Sequence, residues 1–430
     1  MVGHRFITAG VLALFGTLGG LTVGCAHHDA PVAPLPEADL VALGARMEGV
    51  TGVPLPADLA TQVVQRAEVK EILRSATLAE WPPEESRRFA EGVIAMGLWP
   101  QDEDLIAALL AVSADHVGGF YLPSDRTVYV VADSRMSFGA QDGSLRRDSG
   151  REFVVTHELV HAQQHTTHPE LIEFFIRWHN QDDAANAASA AIEGHALHAA
   201  IEILTEARGL PTPEMIAKYF GAEPGGELGE VPAFIRLTHA FPYVRGYPLA
   251  YREGASLLDR APASTEQVMH EERREDDFWA MDLAGTAAVL PQDCEIVYEN
   301  TLGELGISVM FDELSGAPDP EIWTGWDGDR YLAARCGQER ALLWLTAWDT
   351  REDARQFAEA YASVAPQIAR RAGYYESPRA LQSGRAVIVV SAHLKDVVPH
   401  LSGAVRRARV ATLAELRAHF DGVGVAEVTP

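Results

Sequence analysis

The sequence predicts an α+β protein, and three observations carry that reading. From residue 38 to about 116, apolar residues recur at helical spacing, punctuated by Trp81-Pro82-Pro83 and Trp99-Pro100. Around residues 118–131 the pattern changes to period two. Beyond residue 292, strand-like and helix-like runs follow one another in the order β-β-α-β. Hydrophobic residues make up 47% of the chain and charged residues 22%, the balance of a soluble globular protein. The formal charge of −26 argues against nucleic acid as a partner, because its phosphates would be repelled.

Residues 1–24 read as an export signal. His4 and Arg5 precede an uncharged apolar run from Phe6 to Val23, and Gly24-Cys25 ends it. A small residue before a Cys at this point is the pattern of a bacterial lipoprotein signal. We therefore expect lipid on Cys25 rather than a retained membrane helix or a simple cleaved peptide, and an exported protein held to a membrane of the bacterial envelope. Residues 25–37 are rich in Pro and Ala and lack periodicity. They form a tether, and its two histidines, His27 and His28, need no role beyond that.

Residues 38–116 are expected to form a helical lead-in, with LATQVVQRAEVKEILRSA, SRRFAEGVIAMG and DEDLIAALLAVSA as its helices. GGFYLPSDRTVYVVAD then reads as a hairpin with its turn at Pro123-Ser124-Asp125 and its second strand from Thr127 to Val131. A strand at this place could offer an edge to an extended peptide, with a cleft leading from Val128–Val130 toward the chemistry described next.

That chemistry lies in FVVTHELVHAQQ. His157, Glu158 and His161 form HExxH. Two histidines four apart lie one turn apart on one helix face, so both rings can reach one metal ion. Glu158, next to the first, can hold a water against that metal as general base. Phe153, Val154 and Val155 make the approach apolar, Ser149 with Glu152 reads as a capping box, and Pro169 marks the end. A metzincin would carry Gly at 164 and His at 167. The chain has Gln164 and Thr167, which excludes that subclass. A third ligand can come from a second helix, DDAANAASAAIEGHALHAAIEILTEARG, capped by Asp182 or Asp183 and ended by Gly209. Its Ala/Ser-rich first half lets another helix approach closely. Glu193 stands there among small and apolar residues, where an unpaired carboxylate is costly and a metal would satisfy it. His195 and His198 are rivals on the same helix, while His165 and His168 read as solvated.

HELVHAQQ followed by AIEGHALHA resembles the gluzincin group of zinc metallopeptidases, and more narrowly a set of bacterial secreted or lipid-anchored proteins with HELxHxxQ and EGxA. The resemblance extends to VGGFYLPSDRTVYVV, FPYVRG, PASTEQVMH, GWDGDRY and LTAWDT. It implies a zincin-like catalytic core over residues 117–291, with Zn²⁺ held by His157, His161 and Glu193 and water in the fourth position. At 195 the chain carries His where the resembled proteins often have Asp. Gluzincins commonly stabilise the oxyanion with a downstream Tyr or His, and Tyr243, Tyr247 and His270 are the candidates.

Residues 292–430 are expected to form a small C-terminal α+β section. Thr301 with Glu304 reads as a capping box for a helix reaching about Leu314. DRYLAARC and RALLWLTAW read as strands joined at Gly337-Gln338. Asp349 or Thr350 caps the helix REDARQFAEAYASVA, and RAVIVVSA is a further strand. Of three cysteines, Cys294 and Cys336 remain if Cys25 carries lipid, and an even pair in an oxidising compartment predicts a disulfide. The reading is thus a zinc-dependent metallopeptidase acting on a peptide or protein, with Glu158 as general base. Its alternatives are a lipid-anchored binding or assembly protein with structural zinc, and an amidase for a non-protein amide such as a cell-wall peptide.

Overall fold

Residues 37–132, 147–177, 180–205, 210–220, 231–316 and 319–421 are described in the computed structural model of the chain. The fold is α+β. The chain divides into two units: one comprises residues through Pro83, Ile106–Arg177 and Ala188–Arg260, the other Glu84–Leu105, Trp178–Ala187 and everything from Ala261 on. These boundaries differ from the expected division at 116 and 291. Part of the helical lead-in belongs to the second unit, which takes up the chain again at 261 rather than 292.

The first unit starts with helix α1 (Glu37–Thr51), strand β1 (Ala60–Val64) and helix α2 (Arg66–Glu80). The expected helix through LATQVVQ is replaced at its start by β1. Thr61, Val63 and Val64 are β-branched, and the stretch pairs in parallel with β3 (Thr127–Val131), from Ala60↔Thr127 to Val64↔Val131. The helix proper begins only after Gln65, whose backbone N–H donates to Glu68 at 2.7 Å. Helix α3 (Pro83–Ala95) leads into the second unit, and α4 (Leu105–His116) returns to the first. Strand β2 (Gly119–Leu122) then forms the expected hairpin with β3, closed by Asp125, which accepts from Thr127 N at 3.0 Å and from the Tyr129 hydroxyl at 2.8 Å.

The sheet order is β1-β3-β2, so β3 is interior. The edges of this sheet are β1 and β2, so the edge expected near Val128–Val130 is not on that strand. Alternation along the strands divides the core into two layers. Phe120, Leu122, Tyr129 and Val131 face α2 and α4. Tyr121, Val128 and Val130 face Leu43 and Met47 of α1, Val155 and Leu159 of α5 (Arg147–Thr167), and Ala196 and Ala199 of α7 (Asp182–Thr205). Helix α5 starts two residues before Ser149, which lies inside the first turn and cannot be the predicted N-cap. Glu152 instead pairs with Arg46 at 3.0 Å. Pro169 opens α6 (Pro169–Arg177) directly after α5, as its place in the sequence suggests. Asp182 and Asp183 both fall in the first turn of α7, and Gly209 lies outside the described residues.

After α7, the described residues form α8 (Pro213–Phe220), α9 (Ala233–Val244) and α10 (Gly246–Glu253), followed by α11 (Ser256–Asp259). Ile216, Tyr243 and Tyr247 from this set share a core with Phe153 and Val154 of α5 and Leu197 and Ile201 of α7.

In the second unit, α12 (Thr265–Met269) and β4 (Phe278–Asp282) precede β5 (Cys294–Asn300), α13 (Gly303–Ser315), β6 (Trp326–Cys336) and β7 (Glu339–Trp348). Helix α14 (Arg351–Ala372), β8 (Arg379–Ser383), β9 (Ala386–Val390), α15 (Leu401–Ala404), β10 (Arg406–Val410) and α16 (Leu413–Asp421) complete it. Strands β5-β6-β7-β9-β8 form one antiparallel sheet, and β10 pairs with β4. Thr350 is the cap of α14, with Asp353 completing the box. The box expected at Thr301 and Glu304 does not form. Asp329 of β6 accepts from the N–H groups of Leu302 and Gly303 at 3.0 and 2.8 Å, so a distant carboxylate caps α13. The same carboxylate accepts from the indoles of Trp326 and Trp344 at 2.9 and 2.8 Å. Cys294 and Cys336 face each other across β5 and β6, their Cα atoms 4.0 Å apart, and are joined as a disulfide.

Candidate metal centre

Helix α5 carries the HExxH residues into the first unit's core. Phe153, Val154, Val155, Leu159, Val160 and Ala162 are all buried, so the helix is enclosed on nearly every side. His157, Glu158 and His161 are 0%, 1% and 3% exposed. Helix α7 crosses α5 and brings Glu193, 1% exposed, to the same point.

The three ligand atoms converge. His157 Nε2 lies 3.0 Å from His161 Nε2 and 3.1 Å from Glu193 Oε2, and His161 Nε2 lies 3.5 Å from the same oxygen. Ligands about 2.0–2.1 Å from one tetrahedral ion stand about 3.3–3.4 Å apart. The observed triangle has that size, and both rings point Nε2 into it. This buried group could hold a metal ion. Among the described residues, no fourth His, Cys, Asp or Glu joins it.

Small residues permit the approach. A Cβ on Gly194 would come within 2.2 Å of the Gly246 carbonyl carbon and oxygen, and a Cβ on Gly246 within 2.1 Å of the Ala190 oxygen. Helices α7 and α10 thus touch backbone to backbone beside Glu193, which explains the Gly that follows the ligand. The contact also seats the end of α9 against the site. Tyr243 is 2% exposed, its ring centroid is 6.4 Å from that of His157, and its hydroxyl interacts with Glu193. Burial, with Glu193 and Glu158 nearby, raises its pKa well above the ordinary tyrosine range, so the hydroxyl keeps its proton.

The other two oxyanion candidates lie elsewhere. Tyr247 donates its hydroxyl to the Pro211 carbonyl at 2.8 Å. His270 belongs to the second unit, with Nε2 2.7 Å from Glu304. Of the rival histidines, His198 packs beside the rings of Tyr247 and Tyr251, and His195 contacts Gln164 at 3.0 Å. His165 and His168 are half-buried rather than solvated, paired with Tyr121 at 3.0 Å and Asp259 at 3.2 Å. Cys25 lies outside the described residues.

Electrostatics separate the two glutamates. Burial pushes the Glu158 carboxyl up to about 8, and the Glu193 charge adds to that shift, against the pull of His161 and of the Tyr121 backbone N–H. Its Oε1 is buried without a hydrogen-bond partner among the described residues. Burial would also raise Glu193, but His161 and His157 outweigh it and hold that carboxyl low. Burial would lower His161, and Glu193 overcomes it and raises the ring. Glu193 is thus held as a carboxylate that could join a metal, while the Glu158 carboxyl has a raised affinity for a proton.

Two partners escaped the sequence reading. The Tyr121 backbone N–H on β2 bonds the Glu158 carboxylate. Gln164 accepts from His161 Nδ1 at 2.8 Å and donates to the Ile192 carbonyl at 2.8 Å. Its signal was its place one turn after His161, on the metal-facing side of α5. His157, Glu158, His161 and Glu193 are all buried, and no cleft from Val128–Val130 is seen among the described residues.

Residues 294–402 match the model of a domain of unknown function, DUF8575. That stretch runs from β5 into α15 of the second unit and contains none of the metal-centre residues. No curated protein and no solved structure matches the chain.

Proposed function

We propose that the chain is a zinc-dependent peptidase of the gluzincin type. The observation that carries this reading is the triangle of His157, His161 and Glu193 at 3.0–3.5 Å, with buried, non-ligating Glu158 and Tyr243 beside it. Zinc, when bound, would polarise a peptide carbonyl and acidify a water. Glu158 takes the proton of the attacking water and passes it to the leaving amine. A carboxyl whose proton affinity is raised by burial suits both steps. The Tyr121 N–H on the β2 edge holds that carboxylate in place. Tyr243 keeps its proton and donates a hydrogen bond to the oxygen that gains charge. Export and a lipid on Cys25 would set this chemistry on a membrane surface facing a peptide or protein substrate.

The closure of the centre favours a second reading, a lipid-anchored scaffold that keeps zinc structurally. A peptide-library cleavage assay with full-length protein and its Glu158→Gln variant separates the two. On the peptidase reading, the variant keeps one zinc per chain and loses turnover by about 10²-fold or more. Zinc with no cleavage by the wild type, or equal cleavage by the variant, would overturn it.

A further inference from the structure

The hydrogen bonds of Gln164 have an unambiguous direction. A carbonyl only accepts, so the Gln164 group 2.8 Å from the Ile192 oxygen must be the amide nitrogen. A flipped amide would set two acceptors against each other. The amide oxygen therefore faces His161 Nδ1, also at 2.8 Å, and that ring nitrogen must be the donor. A neutral imidazole carries one proton. With it on Nδ1, the His161 lone pair is on Nε2, the atom in the ligand triangle. The remaining amide hydrogen points to His195 Nδ1 at 3.0 Å, which accepts it. By contrast, His157 Nδ1 is buried with no hydrogen-bond partner among the described residues. Of the two histidines of the triangle, only His161 has its tautomer fixed by a side chain among the described residues.

We propose that Gln164 is a positioning residue for the metal centre: held by the Ile192 carbonyl and ending on His195, it locks His161 in the tautomer that presents Nε2 to the ion. The inference rests on the metal-binding reading above but not on turnover. Partners of this kind raise ligand basicity and fix ring orientation, and losing one typically costs about 10–100-fold in metal affinity. Two local features support the assignment. Gln164 is 2% exposed, so water does not compete for the amide. It also lies on the same helix as His161, so the pair holds its register without help from distant parts of the chain.

The test is zinc affinity by chelator competition on the full chain, with ¹⁵N-imidazole NMR of the zinc-loaded protein. Gln164→Met keeps the length of the side chain and removes the acceptor. It should lower zinc affinity about 10–100-fold and abolish the protected His161 Nδ1–H signal. Gln164→Glu keeps an acceptor toward His161 and should bind zinc clearly more tightly than the Met variant. His195→Ala leaves the Ile192 bond in place and should retain the Nδ1–H signal. Wild-type affinity in Gln164→Met, or equal losses in the Met and Glu variants, would overturn the proposal while leaving the metal reading intact. Failure of the metal reading itself looks different: zinc would be absent from the wild type or retained by His161→Ala. If Gln164→Met does not fold, the wild-type spectrum decides alone, and a zinc-loaded His161 without a protected Nδ1–H refutes the lock.

Discussion

Replacing Gly194 by Ala adds one methyl group to the tightest contact around the centre. The new carbon would lie 2.2 Å from the carbonyl carbon and oxygen of Gly246, and 2.7 Å from its Cα. Ordinary van der Waals contact starts near 3.4 Å, so α7 and α10 must separate by roughly 1 Å. No side chain can rotate away, because the opposing atoms are backbone. Overpacking of this kind costs about 1–3 kcal/mol, and the rigid opposing surface places the expected loss in the upper half of that range. The displacement acts where it matters chemically, since Glu193 is the adjacent residue and Tyr243 precedes Gly246 by one turn. A shift of 1 Å in a positioned group can cost about 10²-fold in rate. Urea denaturation measures the stability loss, and chelator competition for zinc measures the loosening of the ligand triangle. Gly246→Ala opposes the Ala190 oxygen at 2.1 Å in the same interface, so the double variant should lose less than the sum of the single losses. Wild-type stability and zinc affinity in Gly194→Ala would refute the close-approach argument.

Further outcomes follow from the second unit. Burial pushes Asp183 from 3.8 up to about 7. Such a group stabilises the fold fully below its unfolded pKa, and that contribution is lost as pH rises toward 7. Asp183→Asn keeps an acceptor for Thr265 N and removes the titration. The variant should therefore gain about 2 kcal/mol relative to wild type between pH 5 and pH 7, read from urea midpoints at each pH. The Cys294–Cys336 bond closes a span of 42 residues, and the Cys294→Ser/Cys336→Ser variant should lose about 3–4 kcal/mol by the same assay. Asp329→Ala would strip the acceptor from two helix N–H groups and two indoles, and calorimetry should register a loss of about 4 kcal/mol or more.

What could be read from the sequence was mostly short-range. The pair His157 and His161 needs only helical periodicity, and Glu193 follows from a charge placed among small residues of one helix. The hairpin around Asp125 is equally local. What was missed depends on partners distant in sequence. LATQVV has helical spacing of apolar residues, yet Ala60–Val64 becomes β1 because Thr127–Val131 supplies a parallel partner. Thr301 and Glu304 satisfy the letter of a capping box, but Asp329 reaches the helix start first. The choice of Tyr243 over Tyr247 and His270 rests on the Gly194–Gly246 contact, which joins segments 52 positions apart in the numbering. The unit boundaries escaped for the same reason, since residues 84–105 pack with chain that follows much later.

The proposed division of labour between the two glutamates also bears on enzyme against scaffold. On the proposed reading, metal retention needs Glu193, whose carboxylate gains from both histidines what burial takes away. It does not need Glu158. That residue is 1% exposed, has one oxygen without a partner among the described residues, and is pushed up to about 8 chiefly by burial. Burying a carboxyl with one oxygen unpaired among the described residues is a cost that the fold carries. A glutamine or an aliphatic residue would fill the same space without that penalty. Costly ionisable groups in buried places cluster at sites of chemistry, because a proton acceptor near neutrality can be made in few other ways. A structural zinc site gains nothing from Glu158. Water activation next to the ligand triangle gives it a use, and this supports the peptidase over the scaffold.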